Sequence, residues 1–316
     1  MTYSSGGLIQ ATDYNGFVST TVAANVNATW NSTYGQTALA TVSTGGTVSA
    51  TQWASLVNTI TNMAAHQPTT VTARTAPVTG NTVSILANVN TDITNCFTNR
   101  YNAYAQGSQF TGWTGTNAKT TATSGATWTI TFTNTVTFAN ATAATNFFNS
   151  GGTVKIDVSK TQTGDVGDPE WNDLANTLCG DIYISGLATS HTIAGVAYTG
   201  TTKIGGTGTP TTLLTSTGWD ALSAGAAGTI VYKQFADTAP YTSNFIQHTI
   251  AKDATSAILT ITTLWSASDG DAISGGTAPS GATPGTAPCT IVTYYPPEST
   301  YLTNTWGTPT VAATTT

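Results

Sequence analysis

Apolar residues in the first hundred positions recur every three or four residues, which is the spacing of one face of an amphipathic helix. We predict a first helix that is capped by Asp13 and extends to Trp30. We predict a third helix over residues 83–104. The apolar stripes of these two helices are Tyr14, Phe17, Val18, Val22, Val26 and Trp30, and Leu86, Val89, Ile93, Cys96, Phe97 and Tyr101.

A second helix is predicted between these two, with Ser49 or Thr51 as its N-cap. It should end at His66 or Gln67, because a residue that precedes a proline, here Pro68, disfavours the helical conformation. The residues on its apolar face are Trp53, Leu56, Val57, Ile60 and Met63.

The apolar period changes from about 3.6 to 2 after residue 106, which is typical of half-buried strands. Threonines alternate with Trp128, Ile130 and Phe132, and polar residues alternate with Val154, Ile156 and Val158 in the same way. Further strands are predicted at 182–184, 229–235, 245–251, 258–264 and 290–295. Turns rich in Gly, Ser, Thr and Pro separate these segments, which predicts an antiparallel sandwich or jelly roll.

Two short helices are expected to interrupt the strands. One covers residues 141–149, and the other begins at Asp168, with Pro169 at its first position. Residues 274–288 are predicted to form an exposed loop, and the tail after Trp306 to be extended and loosely held. The fold class is therefore α+β, with a helical assembly or attachment domain over residues 1–105 and a β-rich sandwich domain over 106–316.

Charged residues make up 7% of the chain, against roughly 25% in an ordinary soluble domain. Threonine, serine, asparagine and glycine must therefore provide most of the polar surface. Because interspersed charges normally keep proteins apart, such a surface favours packing against other copies or other subunits. A solvated extracellular domain with a hydroxyl-rich face is the alternative.

The charge inventory also excludes several classes of partner. The net charge is −6 with only eight Lys and Arg residues, so we expect no nucleic-acid binding.

No apolar run approaches 18 residues, and the N-terminus lacks the pattern of an export signal, so we expect neither membrane insertion nor secretion. Cys96, Cys179 and Cys289 fit neither a disulfide framework nor a zinc site, and we interpret them as buried free thiols of a chain made in a reducing cytoplasm.

Groups that could carry catalysis are few. His66, His191 and His248 have no second His or Cys nearby at ligand spacing, so a structural or surface role is expected for each, with His66 at a helix end, His191 in a turn and His248 in a strand. The segment 205–208 is Gly-rich but lacks the lysine of a phosphate-binding loop. We predict no catalytic, cofactor-binding or metal-binding residue and therefore no enzyme.

One acidic run is dense enough for either a Ca²⁺ site or a carboxylate pair. It contains Asp165, Asp168, Glu170 and Asp173. The structural interpretation, a loop followed by a helix cap, is favoured over ion binding. The segment 269–271, Asp-Gly-Asp, resembles part of a calcium loop but lacks the ligands that would follow, so a tight turn is expected there.

Several short fragments together resemble virion structural proteins of tailed bacteriophages, notably myophages of marine bacteria and cyanobacteria. The N-terminal fragments are residues 7–15, Trp30, 34–36, Trp53 and 66–67, and the later ones are 147–152, 171–174 and 241–244. The resemblance covers most of the chain. It implies a location in the virion, with assembly in the host cytoplasm, more than it implies a mechanism.

On this basis we expect a non-enzymatic, oligomeric tail or fibre subunit, with a trimer as the usual fibre symmetry. Its partners would be copies of itself, other virion proteins and, through aromatic side chains such as Trp113, Trp219 and Trp265, host-surface glycan. These tryptophans are otherwise core anchors, which is the favoured interpretation. The alternatives are a capsid decoration or neck protein, a secreted adhesin, pilin-like or surface-layer protein, and, least favoured, a glycan depolymerase.

Overall fold

The computed structural model of the protein describes most of the chain. The described residues are 10–19, 24–79, 87–104, 117–118, 127–160, 168–267, 289–295, 297 and 299–315. Within these ranges, only the backbone is described at 117–118, 168, 289–295 and 315. The predicted loop at 274–288 lies outside them.

The N-terminal part contains four helices in the described residues: α1 (Ala11–Val18), α2 (Val26–Trp30), α3 (Ala50–His66) and α4 (Val89–Thr98). The predicted single helix from Asp13 to Trp30 is wrong, because α1 and α2 are separate. Asp13 is not the N-cap of α1. It lies inside the helix, and its carboxylate accepts a hydrogen bond from the backbone N–H of Gln10 at 2.9 Å.

The second predicted helix is confirmed. Ser49 caps α3, because its hydroxyl accepts the backbone N–H of Gln52 at 3.2 Å, and α3 ends at His66. The third predicted helix is shorter than expected: α4 begins after Asn88, whose left-handed φ of 61° interrupts the helix, and it ends at Thr98. Residues 83–86 of that prediction lie outside the described residues.

All paired strands in the described residues run antiparallel, in a five-stranded, a six-stranded and a two-stranded sheet. The strands are β1 (Asn117–Ala118), β2 (Trp128–Thr137), β3 (Thr153–Ser159), β4 (Asp181–Ile184), β5 (His191–Ile193), β6 (Val196–Tyr198), β7 (Thr201–Ile204), β8 (Thr212–Leu213), β9 (Thr229–Phe235), β10 (Phe245–Lys252), β11 (Ile258–Ala267), β12 (Cys289–Tyr295) and β13 (Thr310–Thr315). The five-stranded sheet has the order β1-β12-β3-β4-β7, and the six-stranded sheet has the order β13-β2-β11-β10-β9-β8. The two-stranded sheet consists of β5 and β6. Mixed helix with antiparallel sheet confirms the α+β class.

The predicted strands are present, and the alternation that indicated them follows burial. Along β2 the even-numbered residues from Trp128 to Val136 are buried, while the threonines between them are partly exposed or exposed. The sequence did not indicate the short strands β5 to β8. The tail was predicted to be extended and loosely held, but Thr310–Thr315 is hydrogen-bonded to β2 along its whole length as β13.

The two predicted short helices are also present. Asn140 caps α5 (Ala141–Asn149) by accepting the backbone N–H of Ala143 at 2.9 Å. α6 (Asp168–Asp173) continues as a π-helical turn, Leu174–Cys179. This turn contacts β3 of the five-stranded sheet and β9 and β10 of the six-stranded sheet, so it lies in the core that both sheets share.

The helical part and the strands share one continuous apolar core. Residues 34–36, one of the fragments with the phage resemblance, lie where the two parts meet. Gly35 has a φ of 68°, and a Cβ atom there would lie 2.0 Å from the side-chain amide nitrogen of Asn146 in α5. Only glycine allows this close approach.

Candidate functional site

The outer face of the six-stranded sheet is the most unusual surface of the molecule. Every second residue of a strand points to the same side of the sheet. The residues opposite the core are all threonines on β2, two of three on β13, two of five on β11 and one of four on β10. We call this surface the threonine face and define it by Thr129, Thr131, Thr133, Thr135, Thr137, Thr249, Thr260, Thr262, Thr310 and Thr314.

The strand register aligns these threonines across the sheet. Thr314 pairs with Thr133, Thr133 with Thr262, and Thr262 with Thr249, which places four threonines in one row. Neighbouring hydroxyls in such a row are spaced at about 4.8 Å by the strands, and at about 7 Å along each strand. The row crosses β13, β2, β11 and β10.

No outward-pointing residue on these four strands carries a charge. The nearest outward charge in the described sheet is Lys233 on β9, whose ammonium lies over the rings of Phe235 and Phe245. Threonine hydroxyls donate and accept hydrogen bonds, and their methyl groups are apolar. The threonine face can therefore pack against another surface without desolvating ions or repelling like charge.

The histidines have no access to solvent. His66 and His191 are both buried, and burial lowers the pKa of each to about 4. Two sequence predictions are corrected here: His191 lies in β5 and not in a turn, and the two imidazoles are close enough that protonated His66 lowers the pKa of His191 further. Among the described residues, the ring nitrogens of His66 and His191 have no hydrogen-bond partner at normal geometry.

The third histidine is part of the core of the six-stranded sheet. His248 stacks on Tyr232 with ring centroids 5.3 Å apart, and its Nδ1 lies 3.0 Å from the hydroxyl of Thr263 on β11. Burial lowers its pKa to about 3. A neutral imidazole without solvent contact is poorly placed for proton transfer to a substrate.

Two of the three cysteines are buried free thiols, as predicted. Burial raises the pKa of Cys96 and of Cys179 to about 12, which makes both unreactive as nucleophiles. The side chain of Cys289 lies outside the described residues.

The acidic run of the sequence is only partly brought together. Glu170 and Asp173 of α6 meet Asp237, which follows β9, and one carboxylate oxygen from each lies within 4.8 Å of the others. We call these three residues the carboxylate cluster.

The other acidic residues that the sequence singled out are not described. Asp165 and the segment 269–271 lie outside the described residues, and the side chain of Asp168 is not described. Asp237 has no acidic neighbour in the sequence that would indicate the site.

An open cleft of about 400 Å³ adjoins the carboxylate cluster at Asp237. Gln234 lines this cleft, is buried, and has a side-chain oxygen without a hydrogen-bond donor among the described residues. Its amide nitrogen donates to the backbone carbonyl of Phe235 at 2.8 Å.

The tryptophans proposed to contact sugar are not available for it where they are described. Trp219 and Trp265 are buried in the core, and Trp113 lies outside the described residues. Trp219 stacks on Phe148 with ring centroids 5.2 Å apart, which confirms its interpretation as a core anchor.

Comparison of the chain with protein-family models, with curated proteins and with solved structures gives no match. Among the helices of the described residues, none has both the length and the apolar character to cross a membrane.

Proposed function

We propose that this protein is a non-enzymatic structural subunit of a tailed-phage virion, in an oligomeric tail or fibre appendage. The single observation that carries the structural role is the threonine face, where ten threonines line four strands without one outward charge. Large uncharged surfaces favour association. The phage assignment itself rests on the resemblance of the sequence fragments.

We further propose that the two large sheets form a sandwich with jelly-roll-like nesting. Their edges meet at both sides, because β1 lies next to β13 and β7 lies next to β8. The first strands pair with the last ones: β1 and β3 pair with β12, while β2 pairs with β11 and β13. This arrangement also protects the edge strands, which otherwise recruit other chains.

The chemistry of the described side chains supports a role without catalysis. The imidazoles are buried with lowered pKa values, the described thiols are buried with raised pKa values, and both sets are removed from solvent. General acid–base catalysis needs such groups at a surface cleft with pKa values near the working pH. A glycan depolymerase would depend on Asp168 and Glu170, and loss of polysaccharide cleavage on their substitution would overturn the proposal.

In the proposed particle, the helical N-terminal part attaches the subunit and the β-rich part faces outward. A trimer is proposed from the usual symmetry of fibres, with other virion proteins as partners and host-surface glycan as the outward ligand. A capsid decoration or neck position is the alternative within the virion. A secreted adhesin or surface-layer protein is the alternative from another class.

Two measurements test this proposal. Native mass spectrometry of the purified chain should show a defined oligomer, and cryo-electron microscopy of intact phage particles should place its density in the tail with matching symmetry. A chain that stays monomeric at high concentration and is absent from purified particles would contradict it.

A further inference from the structure

The carboxylate cluster joins two parts of the chain that belong to different sheets. α6 lies in the connection from β3 to β4 of the five-stranded sheet, whereas Asp237 lies in the connection from β9 to β10 of the six-stranded sheet. Carboxylate oxygens from Glu170, Asp173 and Asp237 nevertheless lie within 4.8 Å of one another. Three ionised carboxylates at this separation repel each other, and a cation among them would remove that repulsion.

Glu170 provides an independent indication of a ligand. Its side chain is only 8% exposed, and its oxygen Oε1 has no hydrogen-bond donor in the described part of the chain. The other contacts of its carboxylate are with the backbone and hydroxyl of Thr238, which immediately follows Asp237. A buried carboxylate oxygen without a donor is costly, and a bound cation would remove that cost.

Among the described residues, the ion pairs join Arg74 to Asp92, and Lys155 to Asp157 and Asp181, and none of them includes Glu170, Asp173 or Asp237. In the described part of the chain, the carboxylate cluster therefore has no ion-pair partner.

We propose that Glu170, Asp173 and Asp237 bind a divalent cation, Ca²⁺ in preference to Mg²⁺, which ties α6 to the β9–β10 connection. Three oxygens within 4.8 Å of one another lie at most about 2.8 Å from a common point, so small side-chain movements would bring all three within the 2.3–2.6 Å of Ca²⁺–oxygen bonds. Ca²⁺ takes six to eight oxygen ligands in flexible geometry, and carboxylates together with water can supply them. Asp237 is exposed and Asp173 half-buried, which leaves room for water.

The ion would act as a cross-link between the connections of the two large sheets. Residues next to the site belong to the core: Trp171 stacks with Trp265 at 5.6 Å between ring centroids and lies 4.8 Å from the ring of Trp128. Fixing α6 would therefore also fix this stack of three tryptophans. A cation that binds only the folded chain raises its stability in proportion to the logarithm of the ion concentration.

The test uses the full chain, first treated with chelator and then titrated with Ca²⁺ alone. A hundredfold excess over Kd should raise the Tm by roughly 3–6 °C. Tb³⁺ in place of Ca²⁺ should show luminescence on excitation of tryptophan, because Trp171 is adjacent to Glu170. Asp237→Asn and Asp173→Asn should each weaken Ca²⁺ binding at least tenfold in calorimetry.

Asp220→Asn is the matched control, because it removes one carboxylate outside the cluster. It should keep the Ca²⁺-dependent rise in Tm and the Tb³⁺ luminescence of the wild type. The proposal fails if the wild type shows no rise in Tm up to about 10 mM Ca²⁺, well above the Kd of weak calcium modules. It also fails if Asp237→Asn, with the circular dichroism spectrum of the wild type, keeps full affinity, and an equal rise with Mg²⁺ would overturn the preference for Ca²⁺.

Discussion

Gln36 and Thr303 are joined by two reciprocal hydrogen bonds, although 267 residues separate them in the sequence. The amide nitrogen of Gln36 donates to the carbonyl of Thr303 at 2.8 Å, and the backbone N–H of Thr303 donates to the amide oxygen of Gln36 at 3.0 Å. Next to this pair, the hydroxyl of Thr305 donates to the carbonyl of Tyr34 at 2.9 Å. These bonds attach the helical part to the segment that leads into β13.

Gln36→Ala removes both hydrogen bonds of this pair. Gln36 is 3% exposed, so the change also leaves a small buried void. We expect a loss of roughly 2–3 kcal/mol in the free energy of unfolding, measured by urea denaturation. Gln247→Ala, on the outer face of β10, is the control and should stay within about 0.5 kcal/mol of the wild type. Equal losses of unfolding free energy in the two variants would contradict a stabilising role for the hydrogen bonds between Gln36 and Thr303.

Trp171 is the centre of the tryptophan stack, between Trp128 and Trp265. Trp171→Ala should reduce the free energy of unfolding by about 3–5 kcal/mol, because it empties a fully buried position. Trp171→Phe should cost much less, since it keeps a ring and removes an indole N–H that has no acceptor among the described residues. Urea denaturation measures both, and a phenylalanine variant as unstable as the alanine variant would show that ring stacking is not what stabilises the site.

The three histidines predict that the fold weakens in acid. Their folded-state pKa values are lowered to about 4, 4 and 3 from an ordinary 6.5, so between these limits the unfolded chain binds more protons than the folded chain. The stabilisation that the neutral histidines provide is thus complete above about pH 6.5. It is lost as the pH falls towards 4 for His66 and His191 and towards 3 for His248, at up to about 1.4 kcal/mol per pH unit for each histidine. Urea denaturation at a series of pH values measures this slope.

His248→Phe isolates one of these contributions. Phenylalanine retains the stacking on Tyr232 and cannot be protonated. Between pH 6 and 5, the slope of unfolding free energy against pH should fall by about 1.2 kcal/mol per unit relative to the wild type. Carboxylates with raised pKa values, such as Glu170, act in the opposite direction, so the difference between the variant and the wild type is the relevant quantity. An unchanged slope would mean that His248 is protonated in the folded state.

The threonine face is tested by placing charge on its central row. Thr133→Glu with Thr262→Glu puts two carboxylates at directly paired positions, which should cost only about 1 kcal/mol of folding stability. Self-association, measured by analytical ultracentrifugation, should weaken at least tenfold, because two charges must then be desolvated at the contact.

Thr215→Glu with Ser216→Glu is the matched control. It adds the same charge at two exposed positions outside the threonine face. The oligomer of this control should equal that of the wild type. Similar dissociation of both double variants would show that net charge, and not this surface, governs the association.

Local patterns predicted much of the secondary structure. The alternation of Trp128, Ile130 and Phe132 with threonine placed β2 correctly, because a strand with one buried face must repeat every two residues. Ser49 placed the start of α3, because a cap acts on backbone groups within three residues of itself. The break between α1 and α2 was missed, since their apolar residues still fall at helical spacing across it.

Short strands and long-range sites were not predictable in this way. β5 to β8 have two to four residues each, which is too few for a period to be recognised. The neighbouring imidazoles His66 and His191 were interpreted separately, because nothing in the sequence indicates that α3 ends near β5.

The sequence by itself determined the class of the fold, the main strands and the scarcity of charge, because apolar period, capping residues and composition are properties of neighbouring residues. Only the tertiary structure decided that Asp237 joins Glu170, that Gln36 bonds Thr303, and that scattered threonines form one face. Such relationships depend on the register of the sheets and on how distant segments pack. That packing minimises the free energy of the whole chain and is not encoded in any one segment.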